Sequence, residues 1–170
     1  MTSSMRRRDW LRLGGALAAS AGLPGWALAA STLTVAPMSL QRRTLANGLQ
    51  VLAQPGGGGG SVSVQVWYRV GGKDDPQGRS GFAHLFEHLM FKSTAHLKAE
   101  QFDRLTEDVG GENNAFTAED TTAYFETVPS HHLERLLWAE AERMSTLNVD
   151  EANFHSERKV VEEEFRQRVL

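Results

Sequence analysis

Residues Ser80–Phe91 read SGFAHLFEHLMF, and two histidines and a glutamate crowd into His84–His88 of this otherwise apolar stretch. Wound as a helix at about 100° per residue, it places Phe82, Leu85, Phe86, Leu89 and Met90 on one broad arc. His84, Glu87 and His88 fall on the opposite arc. The i, i+4 spacing sets the two imidazoles one turn apart, able to reach a common point. A solvated helix face accounts for such a pattern, and so does a metal site. Two histidines alone do not close the question, because a catalytic zinc needs a third protein ligand and an open position.

Candidates for a third ligand come from the last predicted helix, where Glu157, Glu162, Glu163 and Glu164 surround an apolar stripe of Phe154, Val161, Phe165 and Val169. Glu163 points nearly opposite that stripe, and Glu162 borders one side of it. Both read as solvated charges. Glu157 and Glu164, seven residues apart, stack along the other border and lean toward whatever the stripe packs on.

Between the two helices and before them, the chain alternates element types. Two short strand-like runs at Leu40–Leu45 and Leu49–Ala53 flank Ala46-Asn47-Gly48, a hairpin signal. Five glycines at Gly56–Gly60 form a tether that cannot pack a core. Ser61–Val70 alternates with period two, so Val62, Val64, Val66, Tyr68 and Val70 share one strand face. Helices are predicted at 80–91 and 99–109, the second ended by Gly110-Gly111. Strands follow at Asn114–Thr117 and Thr121–Val128, the latter closed by Pro129. Ser130 is expected to cap a helix to about Leu147 with Leu133, Leu136, Leu137 and Ala141 on one side, and Asp150 to cap the last helix. This order predicts an α+β fold: a two-layer roll with a mostly antiparallel or mixed sheet packed against helices, incomplete at its C-terminal end.

At 170 residues, 41% hydrophobic and 23% charged, the chain can bury one proper core. Its first 29 residues differ from the rest. A basic start, a short Ala/Gly/Leu stretch and the small residues Ala27 and Ala29 predict an export signal cleaved after Ala29. Arg7-Arg8-Asp9-Trp10-Leu11-Arg12 resembles the twin-arginine pattern, with a general secretory signal as the other reading. Removing residues 1–29 takes away four arginines and one aspartate, leaving 14 basic and 20 acidic side chains. That balance gives no reason to expect nucleic acid or an anionic membrane as partner. No apolar run is long enough for a membrane span, and the absence of cysteine removes any lipid-anchored form. Export to the bacterial periplasm is the expectation.

Four stretches together carry a family resemblance. They are Arg43–Leu49, Gly81–Thr94, Asn114–Thr117 with Thr122–Phe125, and Glu157–Glu164. In that order the chain resembles the pitrilysin-like inverzincins, the zinc metallopeptidases that include insulin-degrading enzyme and mitochondrial processing peptidase, whose motif is H-x-x-E-H. The resemblance implies that His84, His88 and Glu164 bind Zn²⁺, that Glu87 is the general base and that Glu157 supports the site from behind. It also implies that Asn114, Ala115 and Phe116 belong to an edge strand that receives peptide substrate by backbone pairing. The chemistry is coherent, since two neutral imidazoles and one carboxylate leave a residual positive charge that can bring water's pKa to about 7.

Family members enclose the catalytic domain against a second, related domain or subunit. Residues 30–39 read as an N-terminal segment and 40–170 as a catalytic domain lacking the family's second half. The segment is expected to bind zinc but to turn over little peptide alone. A non-hydrolytic peptide-binding or assembly subunit of the same fold is the alternative, and the intact His84, Glu87, His88 and Glu164 weigh against it. A purely structural metal site has no need of Glu87. His96, His131, His132 and His155 lack ligand spacing and are expected at the surface or in packing.

Overall fold

The Asn-Gly pair folds as its chemistry suggests. In a computed structural model, which describes residues 37–56 and 58–169, strands β1 (Gln41–Thr44) and β2 (Gln50–Ala53) pair antiparallel across it. Gly48 donates its N–H to the Leu45 carbonyl at 2.9 Å, with φ at +87°, a conformation cheap only for glycine. The proposed signal at residues 1–29, residues 30–36 and the side chain of Val169 lie outside the described residues. The chain divides into two compact units between Pro55 and Gly56, at the start of the Gly56–Gly60 tether.

The second unit holds a three-stranded antiparallel sheet in the order β3 (Ser61–Tyr68), β5 (Thr122–Pro129), β4 (Glu112–Thr117). All its pairings are antiparallel. Four helices accompany it: α1 (Phe82–Leu89), α2 (Gln101–Glu107), α3 (Leu133–Thr146) and α4 (Glu151–Val169). β5 takes the centre, which is why Ala123, Tyr124, Glu126 and Val128 on it are nearly inaccessible. On β3 the period-two face holds as expected: Val62, Val64, Val66 and Tyr68 are half-buried between exposed neighbours. The strand stops at Tyr68, leaving Val70 exposed. Phe102 and Leu105 of α2 pack with Leu97 and Ala139 into a core cluster. Full burial of a phenylalanine such as Phe102 contributes on the order of 2–3 kcal/mol.

Three local expectations are corrected. Ser130 caps no helix; it opens a 3-10 turn through His132, and α3 begins at Leu133. Its N–H donates to the Gly60 carbonyl at 2.9 Å, which ties the end of β5 to the start of β3. On α3 the buried face is Leu136, Ala139, Glu140 and Arg143, while Leu133, Leu137 and Ala141 are exposed. The reason is electrostatic. Arg143 is 1% exposed, donates to Glu126 at 2.6 Å and to Glu140, and lays its guanidinium 3.9 Å from the Phe102 ring centre and 4.4 Å from that of Tyr124. A buried cation is tolerated inside when it is paired through Nε and Nη2 and stacked on aromatic rings, although its Nη1 has no hydrogen-bond partner among the described residues. On α1, Phe86 is exposed, whereas Glu87, on the polar arc, is buried. Asp150 does cap α4, accepting the Asn153 N–H at 2.7 Å.

Candidate metal centre

The start of α1 is set by a loop carboxylate. Asp75 accepts the N–H of Gly81 at 2.6 Å and of Ala83 at 2.8 Å, satisfying two of the donors a helix start leaves open. Gly81 sits at φ +91°, which lets the chain turn into the helix. From there His84 and His88 project one turn apart toward α4, which packs across α1.

Their Nε2 atoms lie 3.2 Å from each other. Glu164 of α4 brings Oε2 to 3.4 Å from His84 Nε2 and Oε1 to 3.7 Å from His88 Nε2. For a tetrahedral zinc with metal–ligand distances of about 2.0–2.2 Å, neighbouring donor atoms sit about 3.3–3.6 Å apart. His84, His88 and Glu164 thus offer three donors at near-ligand separations, and they are the one such group among the described residues. The fit extends outward. His88 turns Nδ1 to Glu157 Oε2 at 3.5 Å, an arrangement that favours the proton on Nδ1 and leaves the Nε2 lone pair for a cation. Glu157 is itself 6% exposed, and Lys92 Nζ reaches its Oε1 at 2.7 Å, so its charge is buried with a partner.

Glu87, between the two histidines in sequence, lines the same cavity of about 430 Å³. Its Oε2 accepts the hydroxyl hydrogen of Thr117, the last residue of β4. Asn114 and Ala115 line the cavity too. β4 is bonded on one side alone among the described residues, so it is an edge. Phe116, named with them in the sequence, is 40% exposed and packs with Trp67 and Phe125. On the cavity's rim burial pushes the Asp103 carboxyl above the usual carboxylate range. Glu162 and Glu163 are exposed and pair with Arg158 and Arg166, as solvated charges do. Of the other histidines, His96 binds Glu142 through Nδ1 at 2.9 Å, far from the cavity's donors in role. The hydrogen bond from His96 is the main reason the Glu142 carboxyl lies below its ordinary range.

Three contributors escaped the sequence reading. Thr117 lay in a stretch already marked as an edge strand, but nothing in the spacing ties it to a residue 30 positions earlier. Lys92 lies four residues after His88, a helical spacing that could have flagged it. Asp75 stands before Pro76 in a loop and carries no signal for a helix start six residues on.

Known proteins share both the sequence and the architecture. The profile of the insulinase family, peptidase family M16, matches residues 51–169. A Helicobacter pylori protein named zinc protease PqqE is 45% identical over 126 residues, which are 74% of this chain and 28% of that protein. A crystal structure of a protease from Helicobacter pylori superposes with a TM-score of 0.74 at 43% identity, covering 77% of this chain and 32% of the other. The structure of pitrilysin gives a TM-score of 0.70 at 26% identity, covering 75% of this chain and 14% of its own. The chain therefore spans about a third or less of the length of these relatives.

Proposed function

The chain belongs to the insulinase family, peptidase family M16, and from that membership we propose that it forms the catalytic part of a zinc-dependent endopeptidase. The observation that carries the reading is the meeting of His84 Nε2, His88 Nε2 and a Glu164 oxygen at 3.2–3.7 Å from one another, beside a buried carboxylate. In this reading His84, His88 and Glu164 hold the ion, and Glu157 fixes the ring of His88 through Nδ1. The bound zinc supplies Lewis acidity, bringing water's pKa to about 7 and polarising a carbonyl.

Glu87 is the general base. Its carboxylate takes a proton from the attacking water and returns it to the nitrogen of the departing amine. The substrate is an extended peptide or unfolded segment lying along β4. Ala115 donates its N–H to the Asn114 side chain at 2.8 Å rather than to β5. That donor therefore faces the open edge, where a peptide carbonyl can replace the Asn114 oxygen. Pairing through the main chain gives affinity with little demand on side-chain identity. A second family-type domain or subunit completes the enclosure, and the protein acts after export to the periplasm.

The test is a comparison of wild type, Glu87→Gln and His84→Ala in the full-length gene product with any partner present. Zinc stoichiometry and peptide cleavage are both measured. Glu87→Gln is expected to keep zinc and lose at least about 100-fold in turnover, whereas His84→Ala loses both. Equal cleavage by all three variants would reject the assignment.

A further inference from the structure

Glu87 is held by a residue of the very strand proposed to receive the peptide. The hydroxyl of Thr117 donates to Glu87 Oε2. The register of β4 decides what the rest of Thr117 does. Ala118 donates its N–H to the Thr121 carbonyl at 2.8 Å, so those two residues form a hydrogen-bonded pair. Antiparallel ladders alternate bonded and non-bonded pairs, which makes Thr117 with Thr122 and Ala115 with Tyr124 non-bonded. Main-chain groups of Ala115 and Thr117 therefore point away from β5, toward the open edge. The contact of Ala115 N–H with Asn114 is the independent sign of this parity.

Thr117 thus has two different faces. Its backbone lies on the edge, and its side chain turns under α1 to the carboxylate. Behind it, Thr122 donates its hydroxyl to the Val70 carbonyl at 2.9 Å and stands 3.4 Å from the Thr117 hydroxyl. That contact limits the rotamers open to Thr117. Glu87 itself is 9% exposed, so a carboxylate with no donor in this position would be costly, and the hydroxyl fixes where it settles.

We propose that Thr117 is a positioning residue. It registers the Glu87 carboxylate against a peptide paired with β4, so that the strand that aligns the scissile bond also aligns the base. This rests on the reading of Glu87 as the base and of β4 as the peptide edge. The geometric demand is real, because misplacing a catalytic group by about 1 Å can cost about 100-fold in rate.

The experiment compares Thr117→Val, Thr117→Ser and Glu87→Gln in the full-length protein. Four quantities are read: kcat, KM, zinc stoichiometry, and the Kd of an uncleaved peptide analogue for the zinc-free protein. Thr117→Val keeps the branched shape and removes the hydroxyl. It is expected to lower kcat at least about tenfold while KM, zinc content and the analogue's Kd stay within about twofold. Thr117→Ser restores the hydroxyl and is expected to return kcat to within about threefold of wild type. A Thr117→Val enzyme with wild-type kcat, beside an inactive Glu87→Gln, overturns the positioning role and leaves the base assignment standing. An active Glu87→Gln overturns both. Loss of zinc or of analogue binding in Thr117→Val, unrescued by serine, reduces the residue to a structural one and also overturns the proposal.

Discussion

Lys92, Glu157 and His88 form a line of contacts, with Lys92 Nζ 2.7 Å from Glu157 and Glu157 3.5 Å from His88 Nδ1. The lysine allows the carboxylate to be buried as an ion, and the carboxylate orients the ring. Substituting Glu157→Gln keeps the shape and removes the charge that holds the His88 proton on Nδ1. Zinc affinity, measured by competition with a chromophoric chelator, is expected to fall about 10–100-fold. An unchanged affinity would mean that His88 is oriented by packing alone. The histidine–glutamate trio was legible because i, i+4 spacing is a property of the helix. Glu157 and Glu164 were nameable as candidates from the seven-residue interval. Thr117 was invisible because its partner lies 30 residues away, and only the packing of β4 under α1 brings the two together.

Elements meet here through backbone rather than side chains alone. Gly71 and Gly72, after β3, run so close to the β4–β5 turn that Gly72 donates to Ala118 at 2.9 Å and Lys73 to Glu119 at 2.8 Å. A Cβ on Gly71 would lie 2.3 Å from the Ala118 carbonyl oxygen and 2.7 Å from the Asp120 nitrogen. Its φ of −158° suits any residue, so the obstacle is contact and not torsion. Gly71→Ala is expected to destabilise by about 1–3 kcal/mol, read as a lowered urea midpoint. Asp75→Ala removes the acceptor for two N–H groups at the start of α1 and is expected to cost about 1–2 kcal/mol. Because α1 carries both histidines, the same variant should bind zinc more weakly; full stability with full affinity would show that Asp75 is dispensable. The expected elements are all present with ends shifted by one or a few residues. The exception is Ser130, where the chain first makes a 3-10 turn through His132 and the α-helix starts only at Leu133, beyond the reach of the serine hydroxyl as a cap.

For the whole molecule, the buried cluster of Arg143, Glu126 and Glu140 ties sheet to helix layer. Burial, then the adjacent Glu140, pushes the Glu126 carboxyl up to about 9 from an ordinary 4.5. Between those values the folded chain holds a proton that the unfolded chain has released, so stability from this group is complete at low pH and is lost as pH rises toward 9. Urea midpoints of the wild type between pH 5 and 9 are expected to fall from this source, and those of Glu126→Gln, which is neutral throughout, to fall less. An equal slope in both would place the pH dependence elsewhere. At the other end of the chain, the small residues at Ala27 and Ala29 predict a mature N-terminus at Ala30. N-terminal sequencing of the protein recovered from cells expressing the full gene checks it, and an intact Met1 would refute export by this signal.

The sequence by itself determined the class of fold and the family, and it narrowed the candidate ligands to His84, His88 and one of two glutamates, because periodicity, motif spacing and turn chemistry are local properties carried by the chain. Tertiary structure alone decided that Glu164 faces the two imidazoles, that Glu87 is buried beneath a threonine of the edge strand, and that an arginine lies at the centre of the core. Those outcomes depend on distances between segments far apart in sequence. There, burial selects whichever side chains can be paired or neutralised together, and hydrophobic pattern no longer predicts which face turns inward.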